Sequence, residues 1–320
     1  MPERIRCNLC GADDAAPLFR LRDYRLQVDD VEWTAVRCRR CGLGYLNPRP
    51  TREEARRYYP ARYFEHRATA VDRYRRQAAY VPGRGRLLDI GTAGGEFLCV
   101  MRERGWEVAG IEPSAPNGNA HGLNIARVDF PEESGFEPES FDTITAWAVF
   151  EHLHDPYRAF DACMRLLRPE GRLVVQVPNL RSVWARWALQ EDVPRHLYFF
   201  SESTLAAYAT RAGLRVERVV HTTDLFGGSG RGVLRLLMLR ALGEPLSRYF
   251  DMSRTPVGER FRQAPLFAIL WSAVDAIERV VLPDWLVRWA RMSGQIVVTF
   301  SKRAPDRGAG ARPGVGAGAR

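Results

Sequence analysis

The sequence predicts a doubly wound α/β domain with a small cysteine ribbon in front of it and a helical insertion near its end. Three observations carry this: two C-x-x-C pairs in the first fifty residues, short β-branched runs alternating with helix-period stretches from Arg84 to about Thr223, and a long helix-patterned stretch before a last β-branched run. With 320 residues, 46% of them hydrophobic, the chain can bury a sizeable core and is not a disordered protein. The net charge of +9 rests on arginine, since Lys302 is the only lysine. The arginines are scattered through "RERGW", "MRLLRP" and "RSVWARW", a pattern of solvated helix faces rather than one anion-binding run. "MPERIRCNLC" has no apolar region of an export signal, and the apolar run "APLFAILWSAV" stops at Asp275, short of a membrane span. A soluble cytoplasmic protein is the expectation.

Residues 1–50 form the ribbon. Cys7 and Cys10 make one knuckle, Cys38 and Cys41 the other, each followed by glycine in "CNLCG" and "CRRCG". A two-residue gap lets both thiolates of a knuckle face one tetrahedral ion, and two knuckles complete a four-sulfur shell with no open position, so the expected zinc is structural rather than catalytic. A small β-insert containing "EWTAVRC" fills the space between them. Cys99 and Cys163 fall in helical patterns and read as small buried residues. Residues 51–83, beginning "NPRPTREEARRYYPARYFEHR" just upstream, pass from proline turns to a charged, tyrosine-rich helix, a linker that docks the ribbon.

Residues 84–224 carry the α/β core. "GRLLDIG" is a strand, "GGEFLCVMRERG" a helix closed by Gly105, and "WEVAGIEP" a second strand. "NIARVDF" and "SFDTITAWAV" give the third and fourth strands, and "DPYRAFDACMRLLRPEG" a helix with Asp155 and Pro156 at its start. "GRLVVQVPN" is the fifth strand, "SESTLAAYATRAG" a helix with Ser201 as N-cap, and "LRVERVVHTT" the sixth strand. Helices between strands imply a parallel sheet, whose ligands sit at the C-terminal strand ends beside the first strand.

The loop after that strand, "LLDIGTAGGEFL", decides the ligand class. A dinucleotide fingerprint laid on Gly91 needs glycine at 93 and 96, where the chain has Ala93 and Glu96, and a glutamate there repels a pyrophosphate. No Gly-Lys-Ser/Thr phosphate loop is present. A nucleoside cofactor with a cationic or zwitterionic arm remains.

This loop, followed by "VAGIEPS", "FDTITAWAVFEHLHDPYRAFDACMRLLRPEGRLVVQVPN" and "RHLYFFSESTLAAYATRAGL", resembles the class I S-adenosylmethionine-dependent methyltransferases, and is closest to a bacterial group with a C-x-x-C…C-x-x-C-G-L-x-Y-L-x-P ribbon. The resemblance covers residues 1 to about 223 and the last strand and implies a Rossmann-like sheet. That family's loop reads D-x-G-x-G-x-G; Asp89, Gly91 and Gly95 match, and Ala93 replaces the middle glycine. The resemblance implies that Gly91 and Gly95 admit the methionine arm and that Asp89 orients the loop or the amino group. It further implies that Glu112, seventeen residues past Gly95, accepts both ribose hydroxyls and that Asp129 meets the adenine amino group. In "EHLHDP", Glu151, His152 and His154 follow the fourth strand and face the pocket. Relatives that methylate phenols hold a divalent ion with E-x-x-E-H, but Ala148 occupies the first position here, so no catalytic metal is expected. His152 is the candidate general base, with Glu151 beside it, and His196 in "PRHLYFF" is the second candidate.

"GQIVVTFSKR", residues 294–303, is expected to be the antiparallel edge strand beside strand six of this fold. Residues 225–293 between them are a helical insertion, expected as a cap over the substrate side, with added core packing or contact with a membrane surface through its Trp and Arg side chains as rival uses. Residues 304–320 are a disordered tail. The expected activity is methyl transfer from S-adenosylmethionine to a small molecule such as a sugar, glycolipid or natural-product intermediate. The rivals are a ribbon-bearing RNA methyltransferase, disfavoured by the scattered charge, and a non-catalytic scaffold, for which Ala93 is the only hint.

Overall fold

The computed structural model describes residues 1–60, 63, 71–113, 121–183, 185, 192–225, 232–234, 237, 241 and 265–302. The N-terminal residues form β1 (Ala15–Leu21), β2 (Trp33–Cys38) and β3 (Gly44–Leu46), antiparallel, with Ala15 opposite Cys38 and Val36 opposite Tyr45. The glycine after each C-x-x-C pair is the residue that closes its knuckle. Gly11 (φ +73°) and Gly42 (φ +78°) donate their N–H groups to the carbonyls of Cys7 and Cys38, at 2.8 and 3.0 Å, in a left-handed conformation that favours glycine.

The linker helix is shorter than its charge pattern suggests. α1 (Arg52–Ala55) is capped by Thr51 and Glu54 in a reciprocal capping box, continues as one 3₁₀ turn over Arg56–Tyr58, and ends at Tyr59, whose backbone Pro60 holds out of the α region. A separate helix, α2 (Val71–Ala78), follows.

The core is a seven-stranded mixed sheet of β4 (Arg86–Ile90), β5 (Glu107–Ile111), β6 (Asn124–Ala126), β7 (Phe141–Trp147), β8 (Leu167–Pro178), β10 (Leu214–Thr222) and β11 (Gln295–Lys302). Its order is β10-β11-β8-β7-β4-β5-β6, with β4 through β8 parallel. Helices α3 (Glu96–Glu103), α4 (Pro156–Leu166) and α5 (Glu202–Arg211) make the crossovers, with Asp155 and Ser201 as the N-caps that their positions predict. The last strand is antiparallel and lies beside strand six, but it is not the edge. β11 inserts between β8 and β10, because all of its residues but Lys302 are buried, whereas Arg215–Arg218 of β10 are exposed and suit a sheet margin.

The ribbon is not an appendage. β9 (Tyr198–Phe199), from the "RHLYFF" segment, pairs with β3 as the fourth strand of the small sheet. One hydrophobic core runs from Cys7, Leu9, Trp33 and Tyr45 to Leu88, Phe141, Phe160 and Phe300. Asn8, inside the first knuckle, donates to Asp155 at 3.0 Å and accepts from the Tyr208 hydroxyl at 2.8 Å, while Arg211 donates to the Leu9 carbonyl at 2.8 Å.

Of the helical insertion, α6 (Pro265–Val281) and α7 (Asp284–Trp289) are described; most of "GVLRLLMLRALG" and the whole tail from 304 to 320 lie outside the described residues. Ile269, Leu270, Ile277, Val280, Val281, Trp285 and Trp289 on these helices are exposed.

A ribbon standing alone should melt before the domain behind it, whereas a shared core couples the two. Treatment with a strong zinc chelator should therefore lower the melting temperature of one cooperative calorimetric transition. Two well-separated transitions would show that the ribbon is autonomous.

Candidate active site

The loop between β4 and α3 is shaped by two glycines. Gly91 (φ +72°) and Gly95 (φ +90°) lie in the left-handed region, and a Cβ on either would stand 2.5 Å from a side-chain carbon, Val149 Cγ2 and Leu123 Cδ1 respectively. Ala93 also has positive φ, +51°, so its methyl costs about 1 kcal/mol of backbone strain. Its N–H donates to Oε2 of Glu112 at 2.8 Å, so the acid at the end of β5 braces the strained point of the loop. Asp89 is buried at the end of β4 and accepts from the Thr145 hydroxyl at 2.6 Å. Burial raises its carboxyl to about 7, outweighing the hydrogen bond from Thr145, with Glu112 adding to the rise.

Beyond the loop opens a cavity of about 180 Å³. Arg52 and Tyr59 of the linker, Asp129 after β6, and His152 and His154 after β7 line it. Gly91 packs on Val149, two residues before Glu151, so the 89–95 loop touches the turn that carries His152. Nδ1 of His152 lies 3.0 Å from the Arg195 carbonyl and 3.0 Å from the Tyr59 hydroxyl. A carbonyl only accepts, so Nδ1 carries the proton and Nε2 is the ring's acceptor. Burial raises the Tyr59 phenol far above its ordinary value, so it stays neutral. Ligand atoms of Glu151, His152 and His196 lie within 4.8 Å of one another, Glu151 and His196 are buried, and the two imidazole centroids are 4.7 Å apart. The three candidate catalytic residues are thus brought together, and as a carboxylate and two imidazoles they have the donor chemistry to hold a divalent ion. His154 lines the cavity but is not part of this cluster: it lies 3.1 Å from the Pro50 carbonyl, and burial, with Arg49 and Arg52 nearby, lowers its pKa.

The four knuckle cysteines form a second cluster, also within 4.8 Å. Cys7 and Cys41 sulfurs are 3.4 Å apart, Cys10 and Cys38 sulfurs 3.6 Å, too far for disulfides and close to the edges of a tetrahedron with metal–sulfur bonds of about 2.3 Å. The donor set fits zinc.

Residues 58–219 match the family model described as a methyltransferase domain, just over half of the chain. The chain belongs to the methyltransferase-domain family. It is an S-adenosylmethionine-dependent methyltransferase, and its loop suits a cofactor with a cationic arm, since the carboxylates of Asp89 and Glu112 converge on the 89–95 turn. The methyltransferase is 29% identical to a ubiquinone biosynthesis O-methyltransferase of Pseudomonas fluorescens, over 43% of this chain and 68% of that protein. A protein of the same description from Xylella fastidiosa is 31% identical over 42% of this chain and 62% of its own length. Among solved structures it is similar to an S-adenosylmethionine-dependent methyltransferase of Archaeoglobus fulgidus, with 17% identity, a TM-score of 0.46, and coverage of 73% and 93% of the two chains.

In this methyltransferase the residue that aims His152 is one that sequence reading missed. Arg195, fully buried, donates to Asp192 at 2.6 and 2.8 Å, to Asp23 at 2.6 and 3.1 Å, and to the Tyr58 carbonyl at 3.2 Å. Asp23 belongs to the ribbon's β1–β2 connection, where it also accepts from the Leu26 and Val28 N–H groups. Burial alone would raise the Asp192 carboxyl, but Arg195 and Arg25 outweigh it and hold it far below the usual range. A "D-Y-R-L" and a "P-R-H-L" carry no mark of this pairing in sequence.

Two outcomes follow from this geometry. Because the Asp89 carboxyl is raised from 3.8 to about 7 on folding, its contribution is present below about pH 4 and lost as pH rises through 7. Asp89→Asn should gain stability relative to wild type by roughly 2–4 kcal/mol between those limits, measured by urea unfolding; a pH-independent difference would show an ordinary carboxylate. Asp23→Ala should cost about 3–5 kcal/mol by leaving Arg195 half-compensated, whereas Asp14→Ala, which breaks the exposed pair with Arg39, should cost under about 1 kcal/mol. Equal losses would remove the clamp from the account.

Proposed function

We propose that this methyltransferase modifies a small molecule seated in the cavity between the linker and the β7 turn, with His152 as general base. Bound S-adenosylmethionine supplies an electrophilic methyl carbon on a sulfonium. Gly91 and Gly95 let the backbone approach the methionine arm, Asp89 steadies the loop, and Glu112, while bracing Ala93, has acceptor capacity left for ribose hydroxyls. Asp129, exposed at the cavity wall, is placed for the adenine amino group. Nε2 of His152 removes the acceptor's proton, and positioning of the acceptor in line with the methyl carbon carries most of the acceleration. The observation that supports this reading most is the His152 tautomer set by the Arg195 carbonyl, because a proton held on Nδ1 leaves Nε2 as the basic nitrogen of a ring that lines the cavity.

Zinc in the four-cysteine shell serves as a structural centre in this proposal, and the exposed apolar face of α6 and α7, flanked by Arg279 and Arg288, is the surface that would meet a lipid layer.

Calorimetric titration with S-adenosylmethionine should give one site, and Glu112→Ala should weaken it by about 1–3 kcal/mol through lost charge-assisted hydrogen bonds and a loosened Ala93. Unchanged affinity in the variant would mean that the ribose lies elsewhere. Absence of heat in the wild type would favour the scaffold reading.

A further inference from the structure

We propose that the acceptor carries a phosphate group, received at the cavity mouth by Arg52 and Arg56. The proposal rests on reading this cavity as the acceptor site.

The argument begins with charge compensation around the cavity. Arg49, which donates to the His154 carbonyl, is paired with Glu3 at 2.7 Å. Arg57, bonded to the Tyr58 hydroxyl, is paired with Asp29 at 2.9 Å. Arg158, stacked on Phe130, is paired with Glu132 and with Glu133. Arg195 is held by Asp23 and Asp192. Arg52 and Arg56 also line the cavity and are exposed, yet neither makes an ion pair or hydrogen bond through its guanidinium with any described residue.

These two arginines stand four positions apart, across α1 and its 3₁₀ extension, so they share one face of the turn. Like charges at this spacing repel and are unfavourable to local structure, which makes their retention at a cavity mouth a departure from local consistency of the kind found at functional positions. Arg52 is further held in place, its guanidinium 4.4 Å from the centroid of the Phe130 ring. Among the described residues that line the cavity, Asp129 is the only acid.

Two guanidiniums present planar, bidentate donors and a charge of two, which matches a phosphate of charge about −1.5 to −2 better than a carboxylate of −1. In the proposed arrangement the phosphate docks at the solvent side on Arg52 and Arg56, and the methyl-accepting atom lies deeper, against His152 and Tyr59. An anchoring anion remote from the reacting atom also supplies the positioning that methyl transfer needs.

The test is isothermal titration of the full chain at low ionic strength and pH 8 with inorganic pyrophosphate, and separately with benzoate. Wild type should bind pyrophosphate at one site, and the double variant Arg52→Gln/Arg56→Gln should weaken this at least about tenfold, while Arg75→Gln/Arg76→Gln, which removes the same charge from the exposed face of α2, should change it by less than about twofold. No pyrophosphate binding, or equal weakening in both double variants, overturns the proposal. Benzoate binding as tight as pyrophosphate and lost with the same pair would also overturn it, in favour of a carboxylate acceptor. S-adenosylmethionine is titrated in parallel, so that a protein that binds the cofactor but not pyrophosphate refutes the phosphate while leaving the methyltransferase reading intact.

Discussion

A single buried guanidinium, that of Arg195, holds this molecule's parts in register. Its two carboxylate partners come from Asp192, three residues away, and Asp23, 172 residues away. Placing three charges out of water is costly, and their mutual attraction roughly offsets that cost only when the geometry is complete. The clamp therefore contributes less to net stability than to uniqueness: any arrangement that leaves out the ribbon's β1–β2 connection strands a charge. The Tyr58 carbonyl closes the same site, so the linker is fixed by the same donor set that fixes the ribbon.

This coupling extends the reach of the four-cysteine cluster. The four cysteines are not among the described residues that line the cavity. Their influence passes through backbone: the knuckles set β1 and β2, their connection carries Asp23, Asp23 orients Arg195, and the Arg195 carbonyl decides which nitrogen of His152 holds the proton. Asn8 adds a second tie, since it sits between two sulfur ligands and bonds to the N-cap residue of α4 and to Tyr208 of α5. Damage to the cysteine cluster should thus reach His152 without any contact between them.

The parts legible in sequence are those set by local rules. Period-two and helical patterns placed the core strands and helices, Asp155 and Ser201 marked their helix starts, and the C-x-x-C-G pairs marked both knuckles. Strand order was not legible in the same way, because the apolar run of β11 says that it is buried but not that it enters between β8 and β10. The charged, tyrosine-rich helix expected in the linker is interrupted at Tyr59, where Pro60 restricts the backbone. The Arg195 clamp was invisible for a different reason. In sequence, Asp23, Asp192 and Arg195 look like the solvated charges that make up much of this chain, and only a separation closed by the fold turns them into a buried network. Of the site, Asp89, Gly91, Gly95 and Glu112 came from the spacing of one loop, whereas Tyr59, Arg52 and Arg56 come from a linker whose position over the cavity no spacing rule supplies.

Ala93 shows how such a site tolerates a departure from its own pattern. A methyl at φ +51° is strained where glycine would not be, and a loop with that residue would relax toward other conformations if nothing opposed it. The opposing force is the charge-assisted bond from the Ala93 N–H to Glu112, made in a buried setting where it is stronger than in water. The strain of about 1 kcal/mol and a bond to a charged acceptor, worth about 1.5–3 kcal/mol, are of similar size, so the bond is sufficient to hold the turn. That balance gives Glu112 a duty to the loop itself, separate from the proposed contact with the ribose. Glycine in place of Ala93 would free the acid from bracing, and the same sequence change would leave the loop with less reason to keep its shape when the cofactor is absent. The substitution that looks like a loss of function in the motif is thus coupled to the acid nineteen residues downstream, and neither position can be judged alone.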